Sequence, residues 1–387
     1  MGREKIILGL TSSIAIYRSC DLIRKLQKSG FEVKVVMTEN ACKLVQPILF
    51  QALTNNPVYH ETFDNKRIGV SHIGIAQWAN LMVIAPATAN IIGKISCGIA
   101  DDILTTIVLA FPGPKLIAPA MNDAMWQNRI VQENCRKLKD NGFEFVGPTE
   151  GALATGKVAI GHIAPVELIL LRIKSILSQR RTLAGHRFLI AGGRTEEEID
   201  PVRVITNRAS GRMALECAKA AIGRGGEVTL ITGPVEVSIP DWIPTVGVRT
   251  SKKLKSELNR RIKDNDCLIM ATAVSDFCTK PKRDKLKGDR LKIELERTED
   301  IVKSLKKEGL YAIGFSLETS NHMSNGKRKL KAKGLDLIIV NTPDALGARE
   351  TNAWLISKQG TKRLGIIDKE KLANIILDRY LSWSKGS

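Results

Sequence analysis

The sequence predicts an α/β protein made of two parallel-sheet domains, and three observations carry that expectation. Apolar runs of strand length alternate with amphipathic helical segments along the whole chain, a rhythm that produces parallel sheets covered by helices on both faces. The length of 387 residues exceeds what one hydrophobic core usually organises. The rhythm is interrupted at 175–187 (SILSQRRTLAGHR), where a helical pattern turns polar and basic before a new strand opens, so a boundary is expected near residue 182.

The elements follow in order. In the first half (1–180), residues 5–10, 32–37, 80–85, 115–118 and 143–146 read as the strands of a five-stranded, flavodoxin-like sheet. The second half (184–387) reads as a Rossmann-like sheet. Its strands are expected at 187–191, 227–231, 246–249, 267–271, 291–296, 311–315 and 336–340, with helices at 211–224, 251–264 and 368–382. Ligands in such sheets bind beyond the carboxyl ends of the strands. Thr11, Ser12 and Ser13 follow the first strand, Thr38 ends the second, Ala85 ends the third with Pro86 to Asn90, including Thr88, following it, and Met121 and Asn122 follow the fourth.

Composition narrows the function. A formal charge of +19, from 59 basic and 40 acidic residues, biases encounters toward anions. Part of that excess, such as Lys252, Lys253, Lys255, Arg260 and Arg261, sits on a solvated helix face. Aromatic content of 5% and the lack of a reader motif argue against nucleic acid as partner. Seven cysteines without a C-x-x-C pair and five histidines without zinc spacing argue against a structural metal site. No apolar run approaches bilayer length, and the expectation is a soluble protein of a reducing cytoplasm.

Two stretches stand apart from packing logic. IAPAMNDAMW (117–126) and IDPVRVITNRASGRM (199–213) each set an Asn among Pro, Gly and small residues. The turn TSSIA between a strand and a helix offers backbone N–H groups for one phosphate, although a plain helix cap explains it as well. Neither G-x-G-x-x-G at this turn nor a Walker lysine is found, which speaks against a dinucleotide or P-loop triphosphate there.

Taken with MTENA, SHIGIAQWAN and APATANIIGKISCGIADDILTT, these motifs make the first half resemble the homo-oligomeric flavin-containing cysteine decarboxylases. The resemblance implies non-covalent FMN near Thr11, Ser12, Ser13, Thr38, Ala85, Thr88 and Asn90, His72 as active-site base, and Asn122 holding the carboxylate of phosphopantothenoylcysteine. One departure stands out. The family's mobile flap reads G-x-L-A-C-G and then G-R-M, whereas this chain reads GALATGKVAIGHIA, with Thr155 at the cysteine position and His162–Ile163 for Arg–Met. An alcohol is a far weaker acid than a thiol, and loss of a positioned acid costs about 10²- to 10⁴-fold in rate.

The second half is similar to the ligase half of the bifunctional coenzyme A biosynthesis family through FLIAGGRTEEEIDPVRVITNRASGRM, ATAVSDF, KLKG, GFSLET and KLKAKGLDLIIVN. The ASGRM segment at a helix start offers N–H groups and a dipole end to anionic oxygens. The resemblance implies that Asn207 holds an acyl-nucleotide, Arg203 supports its loop and Lys285 neutralises the reacting phosphate. It also implies nucleotide contacts at Gly192, Gly193, Ser210, Gly211, Arg212, Asp276, Phe277, Phe315, Lys329 and Lys333, with Mg²⁺ on Asp276. The family's K-I-K-K stands here as KLKG and its N-P-D-I as TEDI, which leaves the choice between CTP and ATP open. Together the halves imply CTP-dependent ligation of 4'-phosphopantothenate with cysteine followed by FMN-dependent decarboxylation, in flavin-domain trimers and ligase-domain dimers. A rival reading keeps only the ligase active and makes the first half a flavin scaffold, motivated by Thr155. A second rival, a basic nucleic-acid-binding protein, predicts strongly salt-dependent duplex binding.

Overall fold

The computed structural model describes residues 3–61, 72–152, 158–178, 182–287, 292–305 and 309–384, which form two compact units, Met1–Arg180 and Arg181–Ser387. In the first, strands Lys5–Leu10, Glu32–Met37, Val58–Tyr59, Leu81–Ala87, Lys115–Pro119 and Phe143–Phe145 form one sheet. All its pairings are parallel. Five of these strands match the expected positions; the sixth, Val58–Tyr59, is a two-residue edge strand too short to show alternation. Without it the order is second, first, third, fourth, fifth, which is the flavodoxin-like order.

Alternation along the strands explains why helices cover both faces. Ile6, Leu8 and Leu10 enter one buried cluster with Leu22, Ile23 and Leu26 of the helix Arg18–Lys28 and Ile169 and Ile173 of Val166–Leu177. Ile7 points the other way, toward Ile75, Ile91, Ile92, Leu104 and Ile107. A strand with both faces covered is apolar throughout, and Leu81–Ala87 is buried at every position.

The second unit carries an eight-stranded sheet. Numbered within the unit, its order is 3-2-1-4-5-6-7-8, from Thr245–Gly247 at one edge through Glu227–Thr232, Arg187–Gly192, Cys267–Met270, Tyr311–Leu317 and Leu337–Asn341 to the hairpin Glu350–Ser357 and Gly360–Asp368. The first six strands are parallel and the hairpin is antiparallel. The hairpin is absent from the sequence-based expectation. The expected strand at 291–296 is corrected: Glu296–Arg297 pairs with Phe277–Cys278 outside the main sheet. The apolar alternation there is real, but Ile293 and Leu295 are exposed and have no core to face. Helices Arg212–Gly223 and Lys369–Ser384 pack on one sheet face around Phe188 and Ile190. Leu254 and Leu258 of Ser251–Arg261 cover the other, against Leu189 and Ala191.

Candidate functional site

In each unit the order of the parallel strands reverses at the first strand, the place where ligands bind in such sheets. In the first unit, Thr11 closes the strand Lys5–Leu10 and is 2% exposed. Its hydroxyl donates to the Pro86 carbonyl at 2.8 Å and accepts from Thr88 N–H at 3.2 Å, tying the two strand ends together. Ser13, Thr38 and Thr88 each cap a helix, accepting from Ala15, Ala41 and Ile91 N–H at 3.3, 3.2 and 3.4 Å. Each such cap stabilises its helix by about 1 kcal/mol and fixes the positive end of its dipole at the strand-end edge. Ser12 and Asn90 are exposed at the same edge, while Ala85 is wholly buried and supports it from below.

His72 is the first residue of the helix His72–Trp78, which leads down into the strand Leu81–Ala87, so the imidazole starts at the strand-end edge. Asn122 follows the fourth long strand and is exposed. Its Oδ1 accepts from Ala124 N–H at 2.9 Å, capping Asp123–Gln127. Beside it, Met121 N–H donates to the Gly161 carbonyl at 3.1 Å, and a side chain at Gly161 would strike the Met121 carbonyl. The hairpin Thr149–Ala152 and Val158–His162 is thereby held on the Asn122 loop. His162 lays its ring across Gly151, and its Nδ1 is buried without a partner among the described residues. Thr155 lies outside the described residues.

In the second unit a cavity of about 640 Å³ opens at the ends of the fourth, fifth and sixth strands. Asn207, Ser210, Gly211, Arg212, Asp276, Phe315, Lys329 and Lys333 all line it, so eight of the expected residues converge. Six of its lining residues are Lys or Arg against three Asp or Glu. The 12-residue helix Arg212–Gly223 begins there after Gly211, whose φ of +78° suits glycine. Gly192 and Gly193 do not line the cavity but let neighbouring chain approach. Gly192 faces Ala214, and Gly193, at φ +72°, leaves a Cβ position only 2.8 Å from the Gly233 and Pro234 carbonyl oxygens.

The cations at the far wall are arranged by local pairs. Lys329 and Lys333 stand one turn apart at the end of His322–Ala332. Lys329 donates to Ser316 at 2.9 Å and Glu318 at 2.6 Å, and Lys333 meets Asp300 at 3.2 Å. Burial would raise the Glu318 carboxyl, but Lys329, Ser316 and Asn325 together pull it below the ordinary range.

Asn207 is held by donating its side-chain amide to the Val274 carbonyl at 2.8 Å. Arg203 and Lys285 stand outside the cavity. Arg203 donates to Asp200 at 2.7 Å and to the Leu286 carbonyl at 3.0 Å, while Leu286 N–H donates to Asp200 at 3.1 Å. Lys285 is exposed in this tethered segment, and Phe277 is 44% exposed beside the cavity. Asp200 is thus the hub of the KLKG loop. Burial opposes its ionisation, yet the N–H groups of Val202, Leu286 and Arg203 and the Arg203 guanidinium hold its carboxyl at about 2.

Sequence reasoning missed Asp200, Thr195, Arg194 and Lys369. Asp200 forms a D-P-x-R turn with the expected Arg203, in which the Asp side chain accepts from the backbone two and three residues on, and that signal was available. Thr195, wholly buried, accepts from Ser275 N–H at 2.9 Å, and its carbonyl accepts from the Thr206 hydroxyl at 2.7 Å, knitting three loops together. Arg194 donates to the Ala209 carbonyl at 3.2 Å and steadies the ASGRM turn. Lys369, 5% exposed, lines the cavity from the start of the last helix and carries no local motif.

Among the described residues no group of three His, Cys, Asp or Glu side chains converges on a metal position, no helix is long and apolar enough to cross a membrane, and all seven cysteines are unpaired.

Comparison with known proteins assigns both units. A flavoprotein family model matches residues 1–178, and the model of the DNA/pantothenate metabolism flavoprotein C-terminal domain matches residues 183–383. The coenzyme A biosynthesis bifunctional protein CoaBC of Bacillus subtilis (strain 168) is 38% identical, covering 100% of this chain and 98% of its own length. Its counterpart in Borreliella burgdorferi is 36% identical, covering 97% and 98%. A solved C-terminal domain of a coenzyme A biosynthesis bifunctional protein CoaBC is 32% identical over 53% of this chain and 98% of its own, with a TM-score of 0.47. The chain belongs to the family of bifunctional coenzyme A biosynthesis proteins, enzymes that join a flavoprotein decarboxylase to a ligase in one polypeptide.

Proposed function

We propose that the second unit activates 4'-phosphopantothenate with CTP and joins it to cysteine, and that the first unit decarboxylates the resulting phosphopantothenoylcysteine to 4'-phosphopantetheine with FMN. The observation that carries this reading is the cationic cavity of about 640 Å³ at the strand ends of the second unit, set at a helix N-terminus.

A carboxylate cannot be amidated directly, because oxide is no leaving group. The carboxylate oxygen of phosphopantothenate attacks the α-phosphorus of CTP, the bond to the β-phosphate oxygen breaks, and pyrophosphate leaves. The cysteine amine then attacks the acyl carbon, CMP leaves, and the surplus amine proton passes to solvent. Arg212, Lys329 and Lys333 stabilise the phosphate oxygens, Asn207 holds the acyl-nucleotide, and Arg203 positions the segment that brings Lys285 to the reacting phosphate. Asp276 would be the protein carboxylate that holds Mg²⁺, which would supply neutralisation of phosphate charge.

In the first unit the three capped helix starts at Ser13, Thr38 and Thr88 suit the phosphate and polar edge of FMN, with Thr11, Ser12, Ala85 and Asn90 around them. FMN would supply a reversible two-electron oxidation of the cysteinyl Cβ–SH unit, whose thioaldehyde form accepts the electrons left by carbon dioxide, and the two electrons would be returned to the product. Asn122 holds the departing carboxylate, and His72 takes up and returns the proton of the cysteinyl group. The rival in which this unit is an inactive scaffold rests on Thr155 and is not favoured by full-length matches to bifunctional relatives. Exposed Ile14, Ile48 and Ile130 support a homo-oligomer, read as flavin-unit trimers with ligase-unit dimers in the cytoplasm.

Isotope exchange tests the ligase chemistry. With phosphopantothenate and CTP but no cysteine, the protein is expected to exchange label between pyrophosphate and CTP. Absence of exchange with both CTP and ATP contradicts the reading.

A further inference from the structure

Lys369 opens the last helix, a position where a lysine normally reaches solvent, yet it is 5% exposed and faces the cavity of the second unit. Its Nζ donates to the Ala345 carbonyl at 2.8 Å. Arg212, at the start of the helix packed alongside, lines the same cavity, and its Nε is buried with no hydrogen-bond partner among the described residues. Among the described residues neither cation forms an ion pair. Glu216 beside them is pushed up by burial, with the charges of Lys219 and Arg212 opposing that shift. Burial, with the Arg212 charge in second place, pulls the Lys369 ammonium below the ordinary lysine range.

Two neighbouring cations, one buried and one carrying an orphaned donor, are costly unless an anion completes the site. The anion must offer several oxygens, because it faces Lys369, the Arg212 guanidinium, the Ser210 hydroxyl and the backbone N–H groups after Gly211. A single carboxylate cannot satisfy all of these.

We propose that Lys369 binds the pyrophosphate portion of the nucleotide triphosphate, with Arg212 and the start of the helix Arg212–Gly223 completing the seat. This inference rests on the nucleotide-activated reading above and adds to it the residue that receives the leaving group. A lysine placed there favours departure of pyrophosphate, since negative charge accumulates on that group as the bond to the α-phosphorus breaks. Its bond to the Ala345 carbonyl also couples the seat to the Ala345–Gly347 wall of the cavity.

The full chain is assayed for ligation, with inorganic pyrophosphate and CMP as separate inhibitors, in the wild type, Lys369→Gln and Lys369→Arg. Gln keeps an N–H for Ala345 without the charge; Arg keeps the charge. We expect K369Q to weaken pyrophosphate inhibition about tenfold or more while CMP inhibition changes by less than about twofold, and K369R to stay within about threefold of wild type for both. Equal weakening of both inhibitors in K369Q, no weakening of either, or a loss in K369R as large as in K369Q overturns the assignment and leaves Lys369 as a packing residue. Should K369Q fail to fold, Arg212→Gln takes its place: weakening of pyrophosphate inhibition alone supports the seat, and equal weakening of both inhibitors or of neither overturns it. If the wild type turns over but responds to neither inhibitor, the nucleotide reading itself fails.

Discussion

Replacing Gly193 by alanine perturbs the second site without touching any group assigned to chemistry. Gly193 sits at φ +72°, where a residue with a Cβ costs about 1–2 kcal/mol. The new Cβ would lie 2.8 Å from the Gly233 and Pro234 carbonyl oxygens and 3.0 Å from Val235 Cγ1. Carbon–oxygen contacts settle near 3.3–3.6 Å, so the loop must move by about 0.5 Å or more. Overpacking of this kind adds about 1–3 kcal/mol, for about 3 kcal/mol in all. In a unit of this size that lowers the melting temperature by about 6–12 °C. The shift is transmitted, because the Gly193 carbonyl accepts from Ala273 N–H at 2.9 Å and Ala273 lines the cavity. Displacements of this order in a reacting site cost up to about 10²-fold. The assay follows pyrophosphate release in G193A alongside carbon dioxide release from supplied phosphopantothenoylcysteine. Ligation is expected to fall about 10- to 100-fold while decarboxylation stays at the wild-type rate. A variant that melts and ligates like wild type refutes the claim that close loop approach at Gly193 builds the site.

Asp200→Asn is expected to lower the melting temperature at neutral pH by releasing the Leu286 loop. The folded carboxyl, near 2, lies below its ordinary value of 3.8, so its contribution is present above about pH 4 and fades as pH falls toward 2. The gap between wild type and D200N should therefore be flat from neutral pH down to about 5 and close between about 4 and 2; a gap that widens on acidification contradicts this. His72→Gln is expected to slow carbon dioxide release by about 10²- to 10⁴-fold and leave pyrophosphate release unchanged, and equal loss of both would remove His72 from the decarboxylation. Thr11→Val strands the Pro86 carbonyl and Thr88 N–H, at about 1–3 kcal/mol, and should reduce the FMN retained after gel filtration, read from visible absorbance. Full flavin retention in T11V would detach that hydroxyl from the cofactor site.

Much of this molecule was legible before its structure. The strands Lys5–Leu10 and Arg187–Gly192 follow from runs whose both-sided burial shows as nearly unbroken apolar character, and the helix Arg212–Gly223 from its amphipathic pattern. The convergence of Asn207, Arg212, Asp276, Phe315 and Lys329 on one cavity follows from a rule about strand ends combined with family motifs. What stayed hidden depends on partners distant in sequence. Lys369 joins the site only because the last helix packs beside Arg212–Gly223, and Thr195 is a hub only because Ser275 and Thr206 reach it. The Ile293 and Leu295 alternation misled because period-two patterning reports a possible face, and no core covers that face here.

The most direct test of two linked chemistries in one chain follows the label of carboxyl-labelled cysteine supplied with phosphopantothenate and CTP, measuring pyrophosphate at the same time. The account predicts label appearing as carbon dioxide in step with pyrophosphate after a short lag. Pyrophosphate with the label retained in phosphopantothenoylcysteine, or no pyrophosphate at all, would contradict it.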